Sequence, residues 1–271
     1  MTESALAVAQ FAPTTDPAAN LAVMRSLAES AVSRGASLVV FPEYSSWFAP
    51  EMNSEWVDAA QELDGEFVSQ LAAMSASLGI HIVAGMLEST PDPGRASNTL
   101  VALGPDGALL ATYRKLHLYD AFGAQESRWI RAGDVEAPQT FAWGGFTVGL
   151  QTCYDVRFPE VTRQLVDAGA DLVLVPSEWV RGPLKEAHWR TLLTARAIEN
   201  TIYVAAADHA PPVGVGNSLV VDPMGVEIAT IGESVDVALA WLTPERVAAT
   251  RVTNPALALR RFDVSARAER R

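Results

Sequence analysis

Residues 98–113 read NTLVALGPDGALLATY, and residues 217–232 read NSLVVDPMGVEIATIG. Each stretch is two apolar runs around a turn signal, Gly-Pro-Asp-Gly in the first and Asp-Pro-Met-Gly in the second, so each predicts a hairpin. The likeness extends toward the N-terminus of both stretches. DLVLVPSE (171–178) echoes SLVVFPEY (37–44), with Pro176 matching Pro42, and TIYVAAADH (201–209) echoes IHIVAGMLE (80–88). Between these strand-like runs lie helical stripes. Phe67, Leu71, Met74 and Leu78 mark one, closed by Gly79 at a C-cap position, and Trp189, Leu192, Leu193 and Ala197 mark its counterpart. Ahead of them stand ALAVAQFA (5–12) with a helix through Leu21, Met24, Ala28, Ala31 and Val32, and FTVGLQTC (146–153) with a helix through Val161, Leu165 and Ala168. The chain is therefore read as an internal duplication of an α/β unit whose loops differ in length. Two such units bury most apolar surface if their mixed sheets stack face to face with helices outside. The expected fold is an α/β class, α-β-β-α sandwich formed as a single domain over residues 1–271.

Composition narrows the function classes. Hydrophobic residues make up 49% of the chain, enough for a substantial core, and one cysteine leaves no internal disulfide framework. The N-terminus MTESALAVAQFAP lacks the basic start and long apolar stretch of a signal peptide. No apolar run approaches the ~20 residues of a membrane helix. A soluble cytoplasmic protein is expected. With 32 acidic against 20 basic residues the formal net charge is −12, which argues against nucleic acid or an anionic membrane as partner. The arginine-rich end RRFDVSARAERR is the basic exception, and the tail from about residue 254 is a candidate for a subunit interface.

Three residues with chemistry follow strand-like runs, where ligand sites of α/β sheets gather. Glu43 lies between VVFP and YSSWF, an apolar and aromatic setting in which an unpaired carboxylate is costly. Lys115, in YRKLHLYD, follows the first hairpin and is a candidate partner for that carboxylate. Cys153, in QTCYDVRFPE, is the sole cysteine. A lone cysteine is more often an inert small hydrophobe than a nucleophile. A thiol beside Glu and Lys can nonetheless be activated, the acid taking the proton and the cation stabilising negative charge. Pro159 and Glu160 suit the start of a helix, whose N–H groups would give a minor bias toward thiolate at Cys153.

FPEY, YRKLHLYD and CYDVRFPE together resemble the three catalytic motifs of the nitrilase, or carbon–nitrogen hydrolase, superfamily. AHWRTLLTARAIENTIYVAAAD and the second hairpin are similar to that family's segments after the nucleophile, so the resemblance spans nearly the whole chain. It implies a Cys-Glu-Lys hydrolase without metal or organic cofactor. Glu43 would be general base, Lys115 the oxyanion-stabilising cation, Cys153 the nucleophile, and Glu126 of AQES the family's second glutamate. The backbone N–H of Tyr154 would share the oxyanion. CYDVRFPE resembles the branch holding omega-amidase and deaminated glutathione amidase, whose substrates are acids bearing an amide. The expected activity is hydrolysis of a small carboxylate-bearing amide with release of ammonia, through a thioester, with the small-molecule amide and water as partners. The resemblance also implies a homodimer or larger homo-oligomer.

Arg157 is suited to hold a substrate carboxylate by a bidentate pair, or else to form a salt bridge on the following helix. Trp179, after the strand equivalent to that of Glu43, is a candidate pocket wall. Other readings stand beside this one. N-carbamoyl hydrolases and nitrilases use the same triad, a silent assembly module would have lost one of its members, and acyl-transferring relatives often carry further domains or membrane segments. VGVGN (213–217) lacks the third glycine and preceding strand of a dinucleotide site. His81, His117, His188 and His209 show no metal-ligand spacing.

Overall fold

A computed structural model describes residues 3–267. The first half runs β1 (Ser4–Gln10), α1 (Pro17–Ser33), β2 (Leu38–Val40), a short α2 (Glu55–Asp58), α3 (Glu66–Leu78), β3 (His81–Glu88), β4 (Ala96–Leu103) and β5 (Leu109–Arg114). After β6 (Ile130–Arg131) and β7 (Thr140–Trp143) the second half runs β8 (Phe146–Leu150), α4 (Pro159–Asp167), β9 (Leu172–Pro176), α5 (Lys185–Asn200), β10 (Tyr203–Ala207), β11 (Leu219–Val221) and β12 (Glu227–Thr230). β13 (Asp236–Leu242) and α6 (Pro244–Thr253) close the described elements.

The two sheets are ordered β13-β1-β2-β3-β4-β5 and β7-β8-β9-β10-β11-β12, with β6 added beside β4. They match strand for strand. β1-β2-β3 and β8-β9-β10 are parallel, the hairpin strands run antiparallel in both, and each hairpin carries a register shift. The expected sandwich is present, and so is its duplication. The sequence reading missed β13 and β7, each of which pairs antiparallel with the first strand of a half.

Period-2 alternation distributes the continuous apolar runs between layers. Leu6, Val8, Leu100 and Ala102 of one sheet meet Val148, Leu150, Leu172 and Leu174 of the other between the sheets. Their neighbours Ala7, Ala9, Val101 and Leu103 face α1 and α3, while Val173, Val175, Val204 and Ala206 face α4 and α5. Both faces of these strands are dry, which is why they read as unbroken hydrophobic stretches. Each fully buried Leu or Val contributes roughly 1.5–3 kcal/mol. Asp16 caps α1 by accepting from the N–H groups of Ala18 and Ala19, and Pro17 starts the helix. Gly79, at φ +65°, ends α3 as expected. Among the described residues no helix is long and apolar enough to cross a membrane.

In the C-terminal tail Arg260 pairs with Asp167 of its own α4 at 2.6 Å, while Leu259 and Phe262 are exposed. The last residues of the arginine-rich stretch, 268–271, lie outside the described residues.

Candidate active site

The segment after β2 turns sharply. Tyr44 has φ +55°, a left-handed value that non-glycine residues adopt only when their surroundings enforce it. Gly85 of β3 permits this turn, since a Cβ there would lie 2.6 Å from both Glu43 Cα and Tyr44 N. His209 holds the turn from the other half, its Nε2 2.7 Å from the carbonyl oxygen of Glu43. That geometry makes Nε2 the protonated nitrogen of a neutral ring, and burial lowers the His209 pKa to about 4. The backbone thus delivers the Glu43 carboxyl to the buried interior.

Lys115 follows β5 and is 2% exposed. Its ammonium donates to Glu43 Oε1 at 2.9 Å and to Glu126 Oε2 at 3.0 Å. Glu126 reaches this lysine as the first residue of a 3-10 turn, Glu126–Arg128. Glu126 also accepts from Tyr44 Oη at 2.6 Å and from the Tyr119 N–H at 2.5 Å. Asn98 Nδ2 donates to Glu43 at 2.5 Å and to Glu126 at 3.3 Å. Burial disfavours both carboxylates, yet at Glu126 the Lys115 charge and the Tyr44 and Tyr119 donors prevail and lower its pKa. At Glu43 burial prevails over Lys115, and the pKa is raised. Burial also opposes the Lys115 charge, but Glu126 and Glu43 outweigh it and push the ammonium pKa well up. The trio therefore holds a permanent cation, a permanent anion and one carboxylate with enhanced basicity.

Cys153 sits across this trio. The strand expected to run through residue 153 stops at Leu150, and Cys153 opens a 3-10 turn, Cys153–Arg157, ahead of α4. Its φ is +44°, a second left-handed residue in the site. Asp155 fixes the turn by accepting from Thr152 N, Tyr113 Oη, His117 N and His117 Nδ1 at 2.7–3.2 Å. Tyr113 and His117 flank Lys115, so one buried carboxylate ties the cysteine turn to the lysine segment. The thiol donates to the Glu178 carbonyl oxygen at 3.4 Å, and the Glu178 N–H donates to Glu43 Oε2 at 2.6 Å. The sequence-level bias toward thiolate is corrected here. Burial, then the Glu43 charge, push the Cys153 pKa well above its ordinary value, and Lys115 only partly opposes them. The resting sulfur is a thiol and needs a base.

These groups open onto a cavity of about 530 Å³. Lys115, Glu126 and Cys153 lie in its wall with Tyr44, Tyr119, Phe122, Tyr154, Glu178, Trp179 and Lys185. Tyr154, the candidate oxyanion donor, and Trp179, the candidate pocket wall, both line this cavity. Arg157 forms no salt bridge among the described residues. It stands behind the wall, its Cζ 4.8 Å from the Trp179 ring centre and Nη2 3.4 Å from His188 Nδ1. Sequence reasoning missed Asn98, Asp155, Glu178 and Lys185. Asn98 was visible only as a landmark of the hairpin repeat, and Glu178 as part of the echo of SLVVFPEY.

The carbon-nitrogen hydrolase family pattern matches residues 5–252. The deaminated glutathione amidase of Escherichia coli O157:H7 is 43% identical over 263 residues, 95% of this chain and 97% of that one. The omega-amidase of Homo sapiens is 31% identical over 279 residues, 98% of each chain. Among solved structures, the Caenorhabditis elegans NitFhit protein aligns with a TM-score of 0.89 at 31% identity, covering 96% of this chain and 66% of that one. An amidase from Nesterenkonia sp. AN1 aligns at 0.76 with 29% identity, over 95% and 97% of the two chains. That structure is of a glutamate-to-glutamine variant carrying the acetamide moiety of fluoroacetamide on its active-site cysteine.

Proposed function

Because this chain belongs to the carbon–nitrogen hydrolase family, we propose that it is an amidase that hydrolyses a small carboxylate-bearing amide on Cys153, with Glu43, Lys115 and Glu126 as its partners. The observation that carries the reading is the buried Lys115 ammonium clasped by Glu43 and Glu126 opposite a strained cysteine turn. Such an assembly is costly to bury, and strongly perturbed titratable groups lining a cavity mark functional sites.

Cys153 attacks the amide carbon while Glu43, the more basic carboxylate, takes the thiol proton. The tetrahedral oxyanion lies between Lys115 Nζ and the Tyr154 N–H, near the start of a turn whose first N–H groups lack in-helix partners. Glu43 returns the proton to the departing nitrogen, and ammonia leaves with the C–N bond broken and a thioester on Cys153. A water that gives its proton to Glu43 then cleaves the thioester, releasing the acid and restoring the thiol. Glu126, held as a carboxylate by Lys115, Tyr44, Tyr119 and Asn98, keeps Lys115 charged and oriented through both steps.

The cavity volume falls in the range of about 300–1,000 Å³ usual for small-molecule sites and supports a substrate larger than a simple aliphatic amide. Arg157 behind Trp179 supports an acidic one. The names of the two amidase relatives support the same class. We assign the whole chain to one catalytic domain, acting as a homodimer or larger in the cytoplasm. The test is intact-mass spectrometry after brief exposure to a slow amide or ester, together with ammonia release. An acyl adduct on the wild-type chain that Cys153→Ala lacks, with turnover abolished in Cys153→Ala and nearly so in Cys153→Ser, supports the reading. Unchanged turnover in Cys153→Ala refutes it.

A further inference from the structure

Three cations line the cavity: Lys115, Arg181 and Lys185. Lys115 is paired with Glu43 and Glu126, and Arg181 with Glu233 at 2.6 Å. Lys185 has no carboxylate within ion-pair distance among the described residues. Its Nζ donates to Tyr119 Oη at 2.9 Å, which occupies one of three N–H groups. The head group lies 4.8 Å from the ring centres of Tyr119 and Phe122 and 5.1 Å from that of Trp179.

Lys185 is held in this place by its backbone. It is the first residue of α5, after Leu184 at φ +61°; its N–H donates to Gly182 O at 3.1 Å and its carbonyl accepts from Trp179 Nε1 at 2.9 Å. The residue is 5% exposed. Burial lowers its pKa, with the neighbouring Arg157 charge acting the same way. A buried ammonium without a counter-charge, walled by aromatic rings, lacks an anion. Arg157 adds a second positive charge from behind the same Trp179 wall. In so dry a setting a carboxylate is attracted far more strongly than at a wet surface.

The geometry points to Lys185 as the residue that selects the substrate's carboxylate, taking it with two N–H groups while the amide carbon rests at Cys153. This rests on the amidase reading above and names the side chain that would make it acid-specific. The favoured substrate class is the monoamide of a dicarboxylic acid or a longer amide ending in a carboxylate. Lys185 does not touch the reacting atoms, so its loss acts on KM and leaves kcat nearly as it was.

The probes are the ω-monoamides of C4 to C6 dicarboxylic acids and the matching neutral diamides, read as ammonia release. Wild type should show a lower KM for monoamides than for diamides. Lys185→Met should raise the monoamide KM roughly 10- to 100-fold, the loss of a charge-assisted hydrogen bond, and leave the diamide KM within about twofold. Lys185→Arg should restore most of the preference. Should Lys185→Met fail to fold, Lys185→Gln, which keeps a donor for Tyr119 without the charge, carries the same comparison. An equal change in both KM values, or none, would overturn the assignment and leave Lys185 a prop for Tyr119. Wild-type hydrolysis of both series without preference also overturns it while the amidase reading stands. If wild type cleaves neither series and Cys153 gains no acyl adduct, the amidase reading itself fails.

Discussion

Replacing Lys115 by Met removes the ammonium and keeps most of the side-chain volume. Two effects follow from one change. The oxyanion loses a donor, and removal of a single such donor costs roughly 100- to 1,000-fold in kcat in hydrolases. The second effect is on stability. Glu43 and Glu126 are left facing one another, 1% and 4% exposed, with no cation between them. Breaking a buried pair costs about 3–5 kcal/mol when the stranded charge stays ionised. A stranded carboxyl can instead take up a proton, and the cost then depends on pH. Burial raises both carboxyl pKa values and the Lys115 charge lowers them, so in the variant both should titrate above the ordinary value of 4.5. An acid with a raised folded pKa loses no stability below its unfolded pKa and loses it progressively as pH climbs through the folded one. The Tm gap between wild type and Lys115→Met should therefore be small near pH 5 and widen toward pH 8, to the order of 10 °C. Thermal melts across that range, beside ammonia-release kinetics at pH 7.5, measure both effects. A gap that does not change with pH would refute the stranded-carboxylate argument. Turnover above about a tenth of wild type would refute the oxyanion role.

Glu178 offers a second test of burial. Its pKa is raised well above the carboxylate range by burial, then by the Glu43 and Asp208 charges, so folding loses stability as pH rises past 4.5. Glu178→Gln, neutral at every pH, should melt near wild type at pH 4.5 and above it at pH 8; a variant less stable at pH 8 sinks this account. For assembly, multi-angle light scattering at micromolar concentration should give at least a dimer, and a monomer would reject the oligomer expected from the resemblance.

The fold was legible because both sheets are buried on both faces. Each strand near a half's centre is an apolar run, and the two hairpins carry the same turn chemistry, so duplication shows as repeated text. β13 escaped the reading because its partner is β1, at the other end of the chain, and nothing local announces that pairing. The triad was legible for a different reason. Glu43, Lys115 and Cys153 are chemically conspicuous residues placed directly after apolar runs. Their supports were not, because each is an ordinary polar residue until its distant partners are known. Asp155 was read as part of a motif, yet its partners Tyr113 and His117 come from the other half. Lys185 drew no reading from the sequence, because only the folded chain places it against Tyr119, Phe122 and Trp179.

The duplication also explains why the site is asymmetric. Equivalent strands of the two halves end at Val40 in β2 and Pro176 in β9, and the matching prolines, Pro42 and Pro176, are each followed by a polar residue. In the first half the position after Pro42 is Glu43; in the second, the position after Pro176 is Ser177, with Glu178 one residue later. A second ionised carboxylate pointing at the thiol would oppose the negative charge that catalysis must build. Glu178 is offset by one residue, and it meets Glu43 through its backbone N–H instead, donating at 2.6 Å. The same residue's carbonyl accepts from Cys153. One peptide segment of the second half thereby touches both the proposed base and the proposed nucleophile, while burial pushes the pKa of its own carboxyl well up. Stacking the two sheets sets these strand ends beside each other. Glu43 and Lys115 come from the first half and Cys153 from the second, so neither half alone could assemble the site.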